Sequence, residues 1–370
     1  MDRVLVVGAG VAGLATATLL QRSGVAVDVV EARADVGVGG SGITLQRNAL
    51  AVLREVGVLD QVLAAGYPFD GVGMRSVDGT LLTEVPGFDD GSGLPTTVGC
   101  SRPVLARLLL ERARREGVVV RLGVPLTGLA DAGAGVDVVL GDGSTRRYAL
   151  VVGADGVHSR VRELLGIDAA TEPLGMAIWR VVTARPPEAV RTDLCYDGPC
   201  YIAGFCPTGA DSLYAYLVEK ADHGEDLAPD AQLAHVRELA APYHGPWDAI
   251  RAGLTDASRV SHSRFETHLL PAPWHRGRVV LVGDAVHAFP PTVAQGAAMA
   301  LEDAQVLASV LAASGTGLDA ALSAFGERRY ARVEVLTDAS VQLARWLLDG
   351  VRGDVPGLMG KVAATVAEPA

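Results

Sequence analysis

The chain has 370 residues, 49% of them hydrophobic and 20% charged, enough apolar content for one large domain or two closely joined ones. Its 43 acidic residues outnumber 32 lysines and arginines for a net charge of -11, and no basic run is present to track a phosphate backbone, so nucleic acid is not an expected partner. No apolar run reaches the roughly 18 to 20 residues of a membrane span, and Cys100, Cys195, Cys200 and Cys206 lack C-x-x-C pairing, so neither membrane insertion, a metal site nor a disulfide framework is expected.

Four free thiols fit a cytoplasmic protein. The opening reads as a first strand and not a leader: "RVLVV" is a continuous β-branched and apolar run, as in a parallel strand covered on both faces. The turn "GAGVAG" follows, then the helix "LATATLLQRSG" closed by Gly24, then the strand "VAVDVVE". Gly8, Gly10 and Gly13 stand there in G-x-G-x-x-G register. The first glycine permits the turn, the second admits a pyrophosphate to the backbone, and the third allows close helix packing. The helix start, with Val11 and Ala12, offers unpaired N–H groups to an anion. Glu31 ends the second strand 18 residues after Gly13, near the spacing of an acid that bonds a ribose hydroxyl. These features predict dinucleotide binding without choosing between FAD and NAD.

A helical block, "RNALAVLREVGVLDQVLAAG", is broken at Gly57. "SRPVLARLLLERARREG" predicts a helix with Ser101 as cap, Pro103 in its first turn and Gly117 closing it, feeding the strand "VVVRLGV". A second glycine turn then leaves a second apolar run, in "VVGADGVHSR". From about Gly175 to His268 the texture changes to short, alternating, aromatic-bearing runs, "MAIWRVVTA", "CYIAGFCP" and "SLYAYLVEK", which predict an antiparallel sheet. "RVVLVGDAVHAFPP" returns to a buried strand and turn. "QGAAMALEDAQVLASVLAAS" and "FGERRYARVEVLTDASVQLARWLL" are long helices.

Three of these motifs, in this order, resemble the FAD-dependent class A aromatic monooxygenases, in the branch of the salicylate, nicotinate and urate hydroxylases. They are Gly8 to Gly13; Asp155-Gly156 with Ser159 and Arg162; and Gly283-Asp284 through Gly296. The resemblance implies a mixed α/β fold: a Rossmann-type FAD-binding domain with an interleaved antiparallel-sheet substrate domain, like para-hydroxybenzoate hydroxylase. Residues 1–73, 98–174 and 271–350 would form the FAD domain, 74–97 and 175–270 the substrate sheet, and 351–370 a C-terminal tail. One extended FAD would use both glycine turns.

By resemblance, Ala32, Arg33, Gly42 and Val124 join the cofactor contacts, and Arg102 meets ribityl or phosphate oxygens. Asp155 and Gly156 would lie near the pyrophosphate and help a transient NADH or NADPH dock, and Asp284 would bond the ribityl or phosphate side of FAD. The helix start at Gln295, Gly296, Ala297 and Ala298 would aim N–H groups at the flavin N1 and C2 carbonyl edge, which is anionic when reduced. Here the family usually has Gly-Gln-Gly, whereas this chain has Ala294. A left-handed backbone at that position would cost it energy. Pro290 and Pro291 would form a rigid wall beside the flavin. His287 reads as packing.

On the sheet, alternation places Tyr201 and Phe205 on one face and Tyr214 and Tyr216 on one face of the next strand, as candidates to hold a planar substrate. Arg180 is a candidate for pairing a substrate anion. The resemblance implies an NAD(P)H-dependent monooxygenase that hydroxylates an electron-rich aromatic or polyphenolic small molecule with O2 through a flavin C4a-hydroperoxide, acting as a monomer or homodimer. Epoxidation, Baeyer-Villiger insertion and a non-catalytic FAD-binding sensor stay open. Halogenation is disfavoured, since no W-x-W-x-I-P occurs.

Overall fold

The computed structural model describes residues 2–37, 41–87, 91–221, 227–313 and 317–370. A six-stranded sheet forms its first layer, in the order His275–Arg276, Val279–Leu281, Leu150–Gly153, Arg3–Val7, Ala26–Glu31, Val119–Leu122. Every pair is parallel except the first. The two central strands are buried on both faces, which is why they read as unbroken apolar runs. The helix Val11–Arg22 packs against the helix Gly296–Ala312, so the chain's first and last motifs share one core.

An eight-stranded sheet forms the second layer, in the order His287–Ala288, Val260–Leu269, Glu172–Ala184, Ser212–Lys220, Ile202–Pro207, Thr192–Cys195, Val72–Arg75, Leu81–Val85. It is antiparallel apart from the pairing of Thr192–Cys195 with Val72–Arg75. One face carries Trp179, Val181, Ala203, Phe205 and Leu217, and packs on Val236, Trp247 and Ile250 of the helices Pro229–Ala240 and Pro246–Ala252. The other face places Ile178, Ile202, Val218 and Phe265 against Val341 and Ala344 of the helix Leu318–Leu348.

This corrects the expected alternation of "CYIAGFCP". The strand begins at Ile202, so Tyr201 lies before it, where a two-residue period is not imposed, and packs beside Ile202 and Tyr216. Phe205 lies on the opposite face, under the two helices.

A small sheet, Gly42–Gln46, Thr97–Ser101 and Tyr67–Phe69, joins the layers. Its glycines let them touch: a Cβ on Gly42 would sit 1.8 Å from the Tyr214 ring, and one on Gly99 1.8 Å from the Pro207 carbonyl oxygen. Ser101 does stand before the helix Arg102–Arg115, but its side chain makes no capping bond. The C-terminal segment carries a helix, Val355–Ala367, with Val362 buried against the core. Among the described residues no helix is long and apolar enough to cross a membrane.

Candidate active site

The two glycine turns lie side by side because Arg3–Val7 and Leu150–Gly153 are parallel neighbours. Gly8 has φ +105°, and a Cβ there would sit 2.3 Å from the Ala154 carbonyl oxygen; a Cβ on Gly13 would sit 1.9 Å from the Gly8 oxygen. The turns are thus packed backbone to backbone. Glu31 braces the first, accepting N–H bonds from Ala9 and Arg33, each at 2.9 Å. Ala32 and Arg33 are exposed beside it, and the Val124 N–H donates to the Glu31 carbonyl at 2.8 Å.

Two helices start here without a side-chain cap, at Val11 and at Gly296. Helix geometry leaves the first-turn N–H groups of Val11, Ala12 and Gly13, and of Gly296, Ala297 and Ala298, without intrahelical acceptors. A Cβ on Gly10, Gly156 or Gly296 would meet no atom within 4 Å. Open space therefore lies against donors that carry partial positive charge, the chemistry of a pyrophosphate seat.

Asp155 turns inward. It accepts from Ser159 Oγ at 2.5 Å and the Val161 N–H at 3.0 Å, and burial raises its carboxyl against those bonds. Gly156, at φ +82°, presents backbone to the cleft. Arg162 links this motif to the later one, donating to the carbonyls of Val157 at 2.8 Å and Ala285 at 2.9 Å. Asp284 reaches open space yet is ringed by protein; burial raises its carboxyl, with His287 and Arg102 opposing.

Beneath that loop lies an ionic network that sequence reasoning missed. Asp303 accepts from the Gly283 N–H at 2.8 Å, His287 Nε2 at 2.7 Å and Arg329 Nε at 2.7 Å. Burial acts against its charge, but His287 and Arg329 hold it down at about 2. Arg329 also donates to Glu302 at 2.7 Å. The available signal was an acidic pair, Glu302-Asp303, inside an apolar helix, since buried charge demands a partner.

The cleft's far wall is the sheet. Arg180 pairs in register with Tyr216, and Tyr214 and Tyr216 stack with ring centroids 5.4 Å apart. The hydroxyl end of Tyr216 lies against Gly204, where a Cβ would come within 2.6 Å of its ring. Burial pushes Tyr214 up to about 12 and Tyr216 well above the usual range, so both stay neutral donors. The Tyr214 hydroxyl lies 3.3 Å from Thr44 Oγ1.

Arg180 donates to Ser263 Oγ at 2.8 Å and has no carboxylate partner among the described residues. Burial, and repulsion from Arg102, push its guanidinium down to about 10, still cationic at neutral pH. Arg102 is exposed in the same cleft, its N–H on the Ser41 carbonyl at 3.0 Å and its Nε on that of Gly42 at 3.3 Å.

Phe205 is not in the cleft, and Tyr201 is half-buried at its side. Pro290 is buried, whereas Pro291 is exposed at the start of the turn Pro291–Val293. The Gln295 side chain points into the protein, so only its backbone is left for the cleft.

An anion seat opposite a cationic, aromatic wall is the arrangement of a flavoprotein oxidoreductase. The FAD binding domain family matches residues 1–340. The chain is 34% identical over 346 residues to the 2-heptyl-3-hydroxy-4(1H)-quinolone synthase of Pseudomonas aeruginosa (strain UCBPP-PA14), covering 91% of this chain and 87% of that one. It is 32% identical over 324 residues to the 6-hydroxynicotinate 3-monooxygenase of Pseudomonas fluorescens, covering 84% and 82%. Its fold matches the crystal structure of Klebsiella pneumoniae HpxO complexed with FAD and uric acid at a TM-score of 0.82, with 23% identity over 99% of this chain and 93% of that chain. The chain belongs to the FAD binding domain family, among the FAD-dependent class A aromatic monooxygenases. The open glycines and paired helix starts fit FAD.

Proposed function

We propose that this enzyme hydroxylates an anionic, electron-rich aromatic small molecule, taking electrons from NADH or NADPH and oxygen from O2. The observation that carries this reading is Arg180, an enclosed cation bonded to a neutral hydroxyl and facing two neutral tyrosines. A buried charge without a counter-charge is costly, and a substrate carboxylate, phenolate or acidic heterocycle would relieve that cost. A relative named for 6-hydroxynicotinate, and a similar fold holding uric acid, support an acidic ring as substrate.

FAD supplies electron transfer and oxygen activation when bound. The helix starts at Val11 and Gly296 would hold its anionic groups, Glu31 a ribose, and Asp284 with Arg102 the ribityl side. Asp155 would act through the turn it braces, with Gly156 meeting the cofactor and the nicotinamide donor. Arg180 would orient the substrate, and Tyr214 and Tyr216 would pack its ring and exclude water. Four buried free thiols support a cytoplasmic setting.

The test compares hydroxylated aromatic acids with their methyl esters in coupled NAD(P)H and O2 consumption. Acids should stimulate turnover at least tenfold over esters, and Arg180→Gln should raise KM for acids about tenfold or more with FAD retained. Equal response to acids and esters contradicts the anionic assignment.

A further inference from the structure

Ala294 is the one non-glycine with a positive φ among the described residues, at φ +54° and ψ +34°. A left-handed alanine is disfavoured because its Cβ crowds the following carbonyl, so the surroundings must impose it. One side chain clasps this turn from both sides. Gln46 Nε2 donates to the Val293 carbonyl at 3.0 Å, and Gln46 Oε1 accepts from Gln295 Nε2 at 2.5 Å. Val293 and Gln295 flank Ala294.

Asn48 adds an outer hold, its Nδ2 donating to Gln295 Oε1 at 2.9 Å and Glu302 Oε1 at 2.7 Å. Glu302 is in turn fixed by Arg329 and Arg332. Gln295 is fully buried and is the residue from which the helix Gly296–Ala312 springs, so what fixes it also fixes the direction of the first-turn N–H groups. Gln46 ends a strand and Asn48 lies in the first turn of the helix Arg47–Val56 that follows, which brings both amides to this turn.

We propose that Gln46 and Asn48 are positioning residues for the flavin: their amides hold Ala294 left-handed and so aim the N–H groups of Gly296, Ala297 and Ala298 at the ring edge that becomes anionic on reduction. The inference rests on the reading that this helix start faces the flavin ring. Fixed N–H dipoles there favour the reduced form over the oxidised one. Loosening the turn therefore alters the redox preference more than the binding of oxidised FAD.

The experiment is a reductive titration of the FAD-loaded enzyme against a dye of known potential. Gln46→Met should keep oxidised FAD yet lose about tenfold in preference for the reduced form, a midpoint about 30 mV lower for a two-electron couple. Adding Ala294→Gly should recover most of that loss, since glycine takes the left-handed conformation unaided. An unchanged midpoint in Gln46→Met, or a loss that Ala294→Gly does not recover, overturns the proposal. Should Gln46→Met fail to hold FAD, Asn48→Ala should show a smaller shift of the same sign, and no shift overturns it equally. Gly296→Val separates the underlying reading, because it places a side chain in open space at the helix start. If Gly296→Val leaves FAD affinity and midpoint intact, the helix start does not face the flavin. If it disturbs them while Gln46→Met does not, the clasp alone is wrong.

Discussion

Tyr216 and Phe205 are both aromatic, both buried or half-buried on neighbouring strands, and on opposite faces of one sheet. Truncating Phe205 to Ala should cost about 3 to 5 kcal/mol of stability, while folded enzyme keeps its ratio of hydroxylated product to peroxide. Tyr216→Ala should lower that ratio, because a loosened wall admits water. Oxygen uptake measured with and without catalase reads the difference, and a matching ratio in both variants would remove Tyr216 from the site. His268 carries a pH prediction. Burial, with the Arg162 charge, lowers it from 6.5 to about 4, so the folded protein keeps it neutral. The unfolded chain takes up a proton below about 6.5, so this contribution to stability is present above 6.5 and lost as pH falls toward 4. His268→Gln should flatten the decline of denaturation midpoint over that window; an equally steep decline contradicts the assignment.

Among elements, those carried by local pattern were legible in the sequence. The first strand, its glycine turn, the helix behind it and the strand that ends at Glu31 could be read because glycine freedom, apolar continuity and spacing act within about 30 residues. The second turn's place beside the first was inferred from resemblance, and the parallel pairing of the two strands supplies the physical reason. The Asp303 network was not legible, because Gly283, His287 and Arg329 come from a short 3-10 turn, an edge strand and a separate helix that only the fold assembles. Nor was the face of Phe205, which depends on where its strand begins. Asp303→Asn should cost about 3 to 5 kcal/mol by leaving Arg329 and His287 without their shared anion. Chemical denaturation of the FAD-loaded protein checks this, and a cost under about 1 kcal/mol would mean Glu302 suffices for Arg329.

At the scale of the whole molecule, one layer presents open glycines and uncapped helix starts that fit a dinucleotide and the other a cationic aromatic wall, joined through glycines that let Tyr214 rest on the strand Gly42–Gln46. That difference explains why the glycine motifs are readable in a single sequence while the residues of the wall are not. The seat uses backbone, which glycine positions betray, whereas the wall uses side chains whose direction follows strand register. The proposed function requires this cleft to bring FAD, O2 and an anionic ring together for oxygen transfer. It is tested most directly by turnover under 18O2, with NADH or NADPH and a panel of hydroxylated aromatic acids, followed by mass spectrometry of the products. The expected result is one 18O atom in the ring of at least one product, with formation lost in Arg180→Gln at low substrate. Reductant consumed with peroxide alone across the panel, or product oxygen drawn from water, would contradict it.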